Sequence, residues 1–210
     1  MNLVLDNIAI FNGDTPLLTI NETVGAGEVL TIMGPSGVGK STLLDVISGQ
    51  LQAPFHYTGS VKFGDNALDS MPSHLRKIGV LYQDALLFEH FTVEQNIAFA
   101  MNGAKASWRK AEQQHWIAEQ LSQIGLAKMA KRSVDTLSGG QQARVALLRT
   151  LASEPNAVLL DEPFSKLDTS LRQQIRDWVF EQLSERGLPA VLVTHDKEDS
   201  AMLNGQVIEV

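Results

Sequence analysis

The chain contains no cysteine, which excludes disulfide staples, thiolate metal sites and cysteine nucleophiles, and fits a reducing compartment. It also lacks any apolar run approaching the ~20 residues that a membrane-spanning helix needs. Its first residues, MNLVLDNIAIF, carry Asp6 within the apolar run and no basic leader, so a secretory signal is not expected. Basic residues are in deficit: 17 Lys and Arg stand against 24 Asp and Glu, a net charge of −7. A surface adapted to nucleic acid would show the opposite balance, so no nucleic-acid partner is expected and any phosphate recognition must be local. What remains is an ordinary globular composition, 44% hydrophobic and 20% charged over 210 residues, long enough to bury a sizeable core.

Periodicity orders this material. Leu3–Phe11 and Leu17–Val24 read as strands around an Asn12-Gly13 turn. Glu28–Met33 is a short apolar run that ends at a glycine-rich segment, and Ser41–Gly49 follows with helical spacing that buries Leu43, Leu44, Val46 and Ile47. Val61–Phe63 and Ile78–Tyr82 read as further strands. Strand signals then thin out between Gln83 and Thr136, where Val93–Ala100 and Ala104–Ile124 read as helices, the latter with Trp116, Ile117, Leu121 and Ile124 on its apolar side. Gly139–Ala152 reads as a helix, Ala157–Leu160 as a buried strand, Ser170–Arg186 as a helix and Ala190–Thr194 as a strand. Asn204-Gly205 suggests a turn into a last strand over Gln206–Val210. Alternating strands and helices predict an α/β fold with a mostly parallel sheet, helices on both faces, an antiparallel β region at the N-terminus and an inserted helical subdomain over 84–136.

Two strings carry chemistry. GPSGVGKS at Gly34–Ser41 lies between a strand and a helix, the context a phosphate cradle requires. Its glycines (Gly34, Gly37, Gly39) allow backbone N–H groups to turn inward, and the helix start adds a positive dipole. Lys40 supplies a mobile charge for β- and γ-phosphates, and Ser41 a hydroxyl suited to Mg²⁺. LSGGQ at Leu137–Gln141 opens the later helix. Asp161 emerges at the carboxyl end of a buried strand, where ligands of open α/β sheets sit. Glu162, read alone, is either a solvated loop carboxylate or a base for an attacking water. Gln83 is either surface decoration or a sensor touching metal and water, and His195 either a structural histidine or a γ-phosphate contact.

In this order the residues resemble the nucleotide-binding subunits of ABC transporters over nearly the whole chain. The resemblance implies a P-loop NTPase fold in a single domain over 1–210; the regulatory domain appended in many importers is not expected here. Its phosphate loop matches Gly34–Ser41, its glutamine loop Gln83, its signature Leu137–Gln141, its acidic strand end Val158–Asp161, its catalytic glutamate Glu162, its D-loop Ser165–Asp168 and its switch histidine His195. ATP contacts are implied at Gly34, Pro35, Ser36, Gly37, Val38, Gly39, Lys40, Ser41 and Thr42, with adenine stacking on Phe11. Ser138, Gly139, Gly140 and Gln141 are implied to close on the nucleotide of a second copy or a homologous subunit in a head-to-tail dimer. Mg²⁺ is implied at Ser41, Gln83 and Asp161, with Glu162, His195, Gln83 and Lys40 catalytic.

The stretch QDALLFEHFTVEQNI at Gln83–Ile97 resembles import-type members that serve small ions and solutes, close to the YnjD-like branch. Such members work on the cytoplasmic face of the inner membrane with integral permease subunits and, in many importers, an extracytoplasmic solute-binding protein. The alternative is a mechanical coupler for a membrane partner that transports nothing. Lys166 departs from the pattern, since many relatives have a small residue there, and Glu89 stands where importers often have proline.

Overall fold

The computed structural model describes residues 1–101, 105, 107–200 and 205–210, without the side chains of 169, 170 and 200. It divides into two compact units: Met1–Val80 with Asn156–Glu162 and Gln182–Val210, and Leu81–Pro155 with Pro163–Glu181.

The first unit opens with strands β1 (Leu3–Asn12) and β2 (Thr15–Val24), paired antiparallel around a two-residue connection, Gly13–Asp14. The turn thus sits one residue later than Asn12-Gly13, and Gly13 takes the positive φ of +54° that such a connection needs. β1 buries Leu3 and Leu5, then Ile8 and Ile10. The alternation slips by one at Asp6–Asn7, where the register against both neighbouring strands shifts. Asn7 sits at φ +49° in this bulge, and Gly59 lies opposite, where a side chain would meet the Asn7 carbonyl at 2.3 Å. Strand β4 (Phe55–Phe63) pairs antiparallel with β1 and begins six residues before the expected Val61–Phe63. Its earlier half, FHYTGS, alternates between half-buried and exposed and has no fully buried residue; pairing with β1 makes it a strand. The short β5 (Asn66–Ala67) completes the sheet order β2-β1-β4-β5.

A second sheet carries β6 (Ile78–Leu81), β7 (Ala157–Asp161), β8 (Ala190–Thr194), β3 (Val29–Met33) and β9 (Val207–Glu209), in that order. The β3–β8, β7–β8 and β3–β9 pairs are parallel. All five residues of β3 and of β8 are buried, as expected of strands covered on both faces. Helix α1 (Lys40–Ser48) packs Leu43, Leu44, Val46 and Ile47 into the core between the sheets, alongside Leu30, Ile32, Leu159 and Val193. Each such side chain stabilises by roughly 1.5–3 kcal/mol when fully buried. Gly49 ends α1 in the left-handed region. Arg76, in the short helix α2 (Ser73–Arg76), donates to the Val46 and Ile47 carbonyls at 2.9 and 3.0 Å and so satisfies the helix end.

The second unit holds α3 (Val93–Ala100), α4 (Lys110–Gln123), a 3₁₀ turn over Val134–Thr136, α5 (Gly139–Ala152) and the larger part of α6 (Thr169–Glu185). α4 buries Ile117 and Leu121 and is followed by buried Ile124, but starts six residues later than expected; Ala104 itself lies outside the described residues. Thr92 and Gln95 cap α3 reciprocally. A last short helix, α7 (Lys197–Ser200), follows β8 in the first unit. Asn204 of the expected final turn also lies outside the described residues, while β9 forms within the expected segment. Among the described residues no helix is long and apolar enough to cross a membrane.

Candidate active site

The phosphate loop runs from the carboxyl end of β3 into α1. Gly37 (φ +88°) and Gly39 (φ +103°) hold left-handed conformations, and Gly39 occupies the N-cap of α1. A residue without a side chain cannot cap the helix, so the first-turn N–H groups keep their hydrogen-bonding capacity for an anion. Gly34 serves differently from the expectation. Its backbone is not left-handed; a side chain there would strike the Val210 carbonyl at 2.3 Å, so glycine is required by close approach. Lys40 is buried, and its Nζ donates to the carbonyls of Gly34 at 2.8 Å and Pro35 at 2.7 Å. The ammonium is thereby held inside the curve of the loop. Pro35, Ser36 and Val38 form the remainder of the curve, and Thr42 lies in the first turn of α1.

The Ser41 hydroxyl donates to Asp161 Oδ1 at 3.4 Å, which joins the start of α1 to the end of β7. Burial and the neighbouring Glu162 carboxylate push the Asp161 carboxyl above its ordinary pKa, against the opposing effects of Ser41 and Lys40. Burial, followed by the charge of Asp161, likewise raises Asp45 on α1. This is a site that holds negative charge at a cost and would be relieved by a cation. Octahedral Mg²⁺ with its 2.0–2.1 Å bonds sets adjacent ligands about 3 Å apart, so the two oxygens fit that ion. Among the described residues no group of three or more His, Cys, Asp or Glu could hold a metal alone, so a bound ion would draw on hydroxyl or amide oxygens, substrate or water as well.

Glu162 follows Asp161 and sits at φ +46°, a left-handed conformation unusual for a residue with a side chain. Its N–H donates to the Val193 carbonyl at 2.9 Å, which fixes the strained residue to β8. Its Oε1 accepts from Nδ1 of His195 at 2.9 Å. A carboxylate can only accept, so the proton lies on Nδ1. His195 is held in turn: the Thr194 hydroxyl accepts from the Asp196 N–H and donates to buried Asp199. Phe11 lies half-buried near the end of β1, its ring stacked on His56 of β4 with centroids 5.1 Å apart and planes 12° from parallel.

The second unit assembles the other expected residues. Ser138 is the N-cap of α5; its hydroxyl accepts from the Gln141 N–H at 3.3 Å, and Gln141 Oε1 accepts from the Ser138 N–H at 3.0 Å. Ser138 and Gln141 thus shape the helix start reciprocally. Gly139 faces open space, whereas a side chain at Gly140 would come within 3.1 Å of the Lys166 carbonyl. Gln83 is exposed and lines a cleft of about 510 Å³ with Asp84, Gly139, Gln142 and Lys166. Lys166 Nζ pairs with Asp84 Oδ1 at 2.6 Å. The departure at Lys166 therefore has a partner, one that spacing along the chain gives no means of finding across 82 positions. The His56 stack was equally hidden, because it depends on the register between β1 and β4.

The glycine-rich loop, the Ser41–Asp161 pair and the Glu162–His195 pair gather at the carboxyl ends of the parallel strands of an α/β domain. The family model described as "ABC transporter" matches residues 17–165, and the chain belongs to that family. It has the P-loop NTPase fold and is an ATP-binding, ATP-hydrolysing domain of the ABC type. It is 42% identical over 198 residues to the ABC transporter ATP-binding protein YnjD of Escherichia coli (strain K12), covering 94% of this chain and 90% of that protein. It is 40% identical over 199 residues to the sulfate/thiosulfate import ATP-binding protein CysA of Xylella fastidiosa (strain Temecula1), covering 94% of this chain but 56% of that one. This chain spans little more than half of that relative's length. The dimeric post-hydrolysis structure of the ATP-binding cassette MJ0796, bound to ADP and Pi, superposes with a TM-score of 0.82 at 28% identity, covering 100% of this chain and 94% of that one.

Proposed function

We propose that the chain is the ATPase subunit of an import-type ABC transporter, in which ATP-driven closure of a head-to-tail dimer is coupled to solute movement through membrane permease subunits. The observation that carries the reading is the exposed start of α5, where a capped helix N-terminus and an uncovered Gly139 offer a hydroxyl and N–H groups to an anion outside the chain. A γ-phosphate held on the Gly34–Thr42 loop of a second copy is such an anion. A ligand drives closure only by binding the closed state better, and contacts from two copies to one nucleotide supply that difference. The dimeric neighbour and the import ATP-binding relatives support the same arrangement.

In this reading Lys40 leaves the loop carbonyls to meet the β- and γ-phosphates, while Phe11 carries the adenine. Ser41 and Asp161 would hold Mg²⁺; when bound, the ion would offset charge building on the phosphate oxygens. Glu162 accepts the proton of the attacking water as its oxygen bonds to γ-phosphorus and the bond to the bridging oxygen breaks, leaving ADP and phosphate. His195 orients that carboxylate. Residues 84–136 form the helical subdomain that carries the motion to the permease, which keeps the chain at the cytoplasmic face of the inner membrane. An extracytoplasmic solute-binding protein would complete an importer.

Affinity purification of the tagged chain from detergent-solubilised membranes tests the reading. Recovery of a multi-span permease supports it. Recovery of a membrane protein with no transport activity in reconstituted vesicles would move the function to a mechanical coupler.

A further inference from the structure

We propose that His56 is a positioning residue for the nucleobase: it backs the Phe11 ring and fixes the plane on which the adenine of ATP stacks. The inference rests on the reading of Phe11 as the base contact. Phe11 and His56 are register partners on adjacent antiparallel strands. Their rings, with centroids 5.1 Å apart and planes 12° from parallel, cover one face of Phe11 from the β4 side. The other neighbour of β1 is β2, where Pro16 is the register partner of Phe11. The next residue, Leu17, falls at a register irregularity and approaches the phosphate loop: a side chain on Gly39 would meet Leu17 Cβ at 3.3 Å. The phosphate loop therefore adjoins the β2 side of this sheet. A nucleotide anchored there by its phosphates reaches Phe11 from the side away from the His56 stack.

The physical effect is preorganisation. A half-buried phenylalanine near the end of a strand has rotamer freedom that a stacking base must remove. The imidazole, itself exposed, removes that freedom before ATP arrives and adds a second π-surface behind the first. His56 touches neither phosphate nor reacting water in this arrangement, so its contribution falls on base affinity and not on the chemical step.

The test compares dissociation constants for ATP and for inorganic triphosphate, together with kcat at saturating ATP, in the intact chain and in His56→Ala, His56→Phe and Phe11→Ala. His56→Ala is expected to weaken ATP binding by about two- to tenfold, with triphosphate affinity and kcat unchanged. His56→Phe is expected to restore the ATP affinity, since an aromatic ring is what the site uses. If Phe11→Ala weakens ATP selectively but His56→Ala leaves ATP affinity unchanged, His56 is only a cross-strand partner that stabilises the sheet, and the proposal is overturned. If Phe11→Ala weakens ATP and triphosphate equally, the reading of Phe11 fails, and the proposal with it. Circular dichroism of each variant separates these outcomes from misfolding.

Discussion

Glu162 Oε1 and His195 Nδ1 lie 2.9 Å apart, each at the carboxyl end of a parallel strand and each fixed by its own backbone constraint. The strained φ of +46° at Glu162 is tied to β8 through the Val193 carbonyl, and the histidine turn through Thr194 and Asp199. Strain of this kind costs on the order of 1–3 kcal/mol and persists where surrounding structure over-determines it. Here it aims a carboxylate beside Asp161 while the imidazole limits its rotation. Glu162→Gln keeps the shape and removes the proton acceptor. Turnover is expected to fall by about 10²–10⁴-fold while ATP affinity is retained, with a dimer accumulating in ATP. Steady-state phosphate release and light scattering measure the two effects; normal hydrolysis by this variant would remove Glu162 as the base.

Lys40 is the only cation that the loop itself encloses among the described residues, held by two carbonyls that a triphosphate would displace it from. A charged hydrogen bond of this kind is worth about 1.5–3 kcal/mol. Lys40→Ala is accordingly expected to weaken ATP binding by about tenfold to a hundredfold, read by titration calorimetry. Unchanged affinity would place the triphosphate elsewhere.

Much of this was legible in the sequence because the site lies where regular elements end. Gly139–Ala152 and Ala190–Thr194 form over the expected residues, since a reciprocal cap and a short β-branched, largely apolar run mark their bounds locally. The phosphate loop, Asp161 and Glu162 follow from their position after such strands. What was not legible depends on register or distance. The first half of β4 has no continuous apolar run and becomes a strand by pairing with β1. Gly34 is required by Val210, 176 positions away in sequence. Lys166 finds Asp84, and Phe11 finds His56, through folds of the chain that no local pattern encodes.

Phe11 provides a way to separate base from phosphate recognition. Stacking of a base on an aromatic ring is worth about 1–3 kcal/mol. Phe11→Ala is therefore expected to weaken ATP binding by about fivefold to a hundredfold and to leave inorganic triphosphate unaffected. Competition between each ligand and a fluorescent nucleotide measures both constants in one assay.

The raised carboxyl of Asp161 makes a prediction about stability. Burial is the first cause of the shift, with Glu162 adding to it. A carboxyl whose folded pKa exceeds its unfolded value favours the fold while protonated; that contribution is complete below the unfolded pKa and is lost as pH rises through the folded one. At neutral pH the nucleotide-free protein thus carries a destabilising charge at this position, lessened but not cancelled by Ser41 and Lys40. Asp161→Asn removes the charge and nearly preserves the shape. Without nucleotide the variant is expected to melt above the parent protein at pH 7, and the gap is expected to narrow on acidification as the parent's carboxyl takes up its proton. Adding Mg²⁺ and ATP should reverse the order, because a ligand that binds only the native state stabilises in proportion to its affinity and the variant has lost a metal oxygen. Thermal melts across pH, with and without Mg²⁺-ATP, measure both arms. A variant that gains as much from Mg²⁺-ATP as the parent does would remove Asp161 from the metal site, whatever its effect on the free protein.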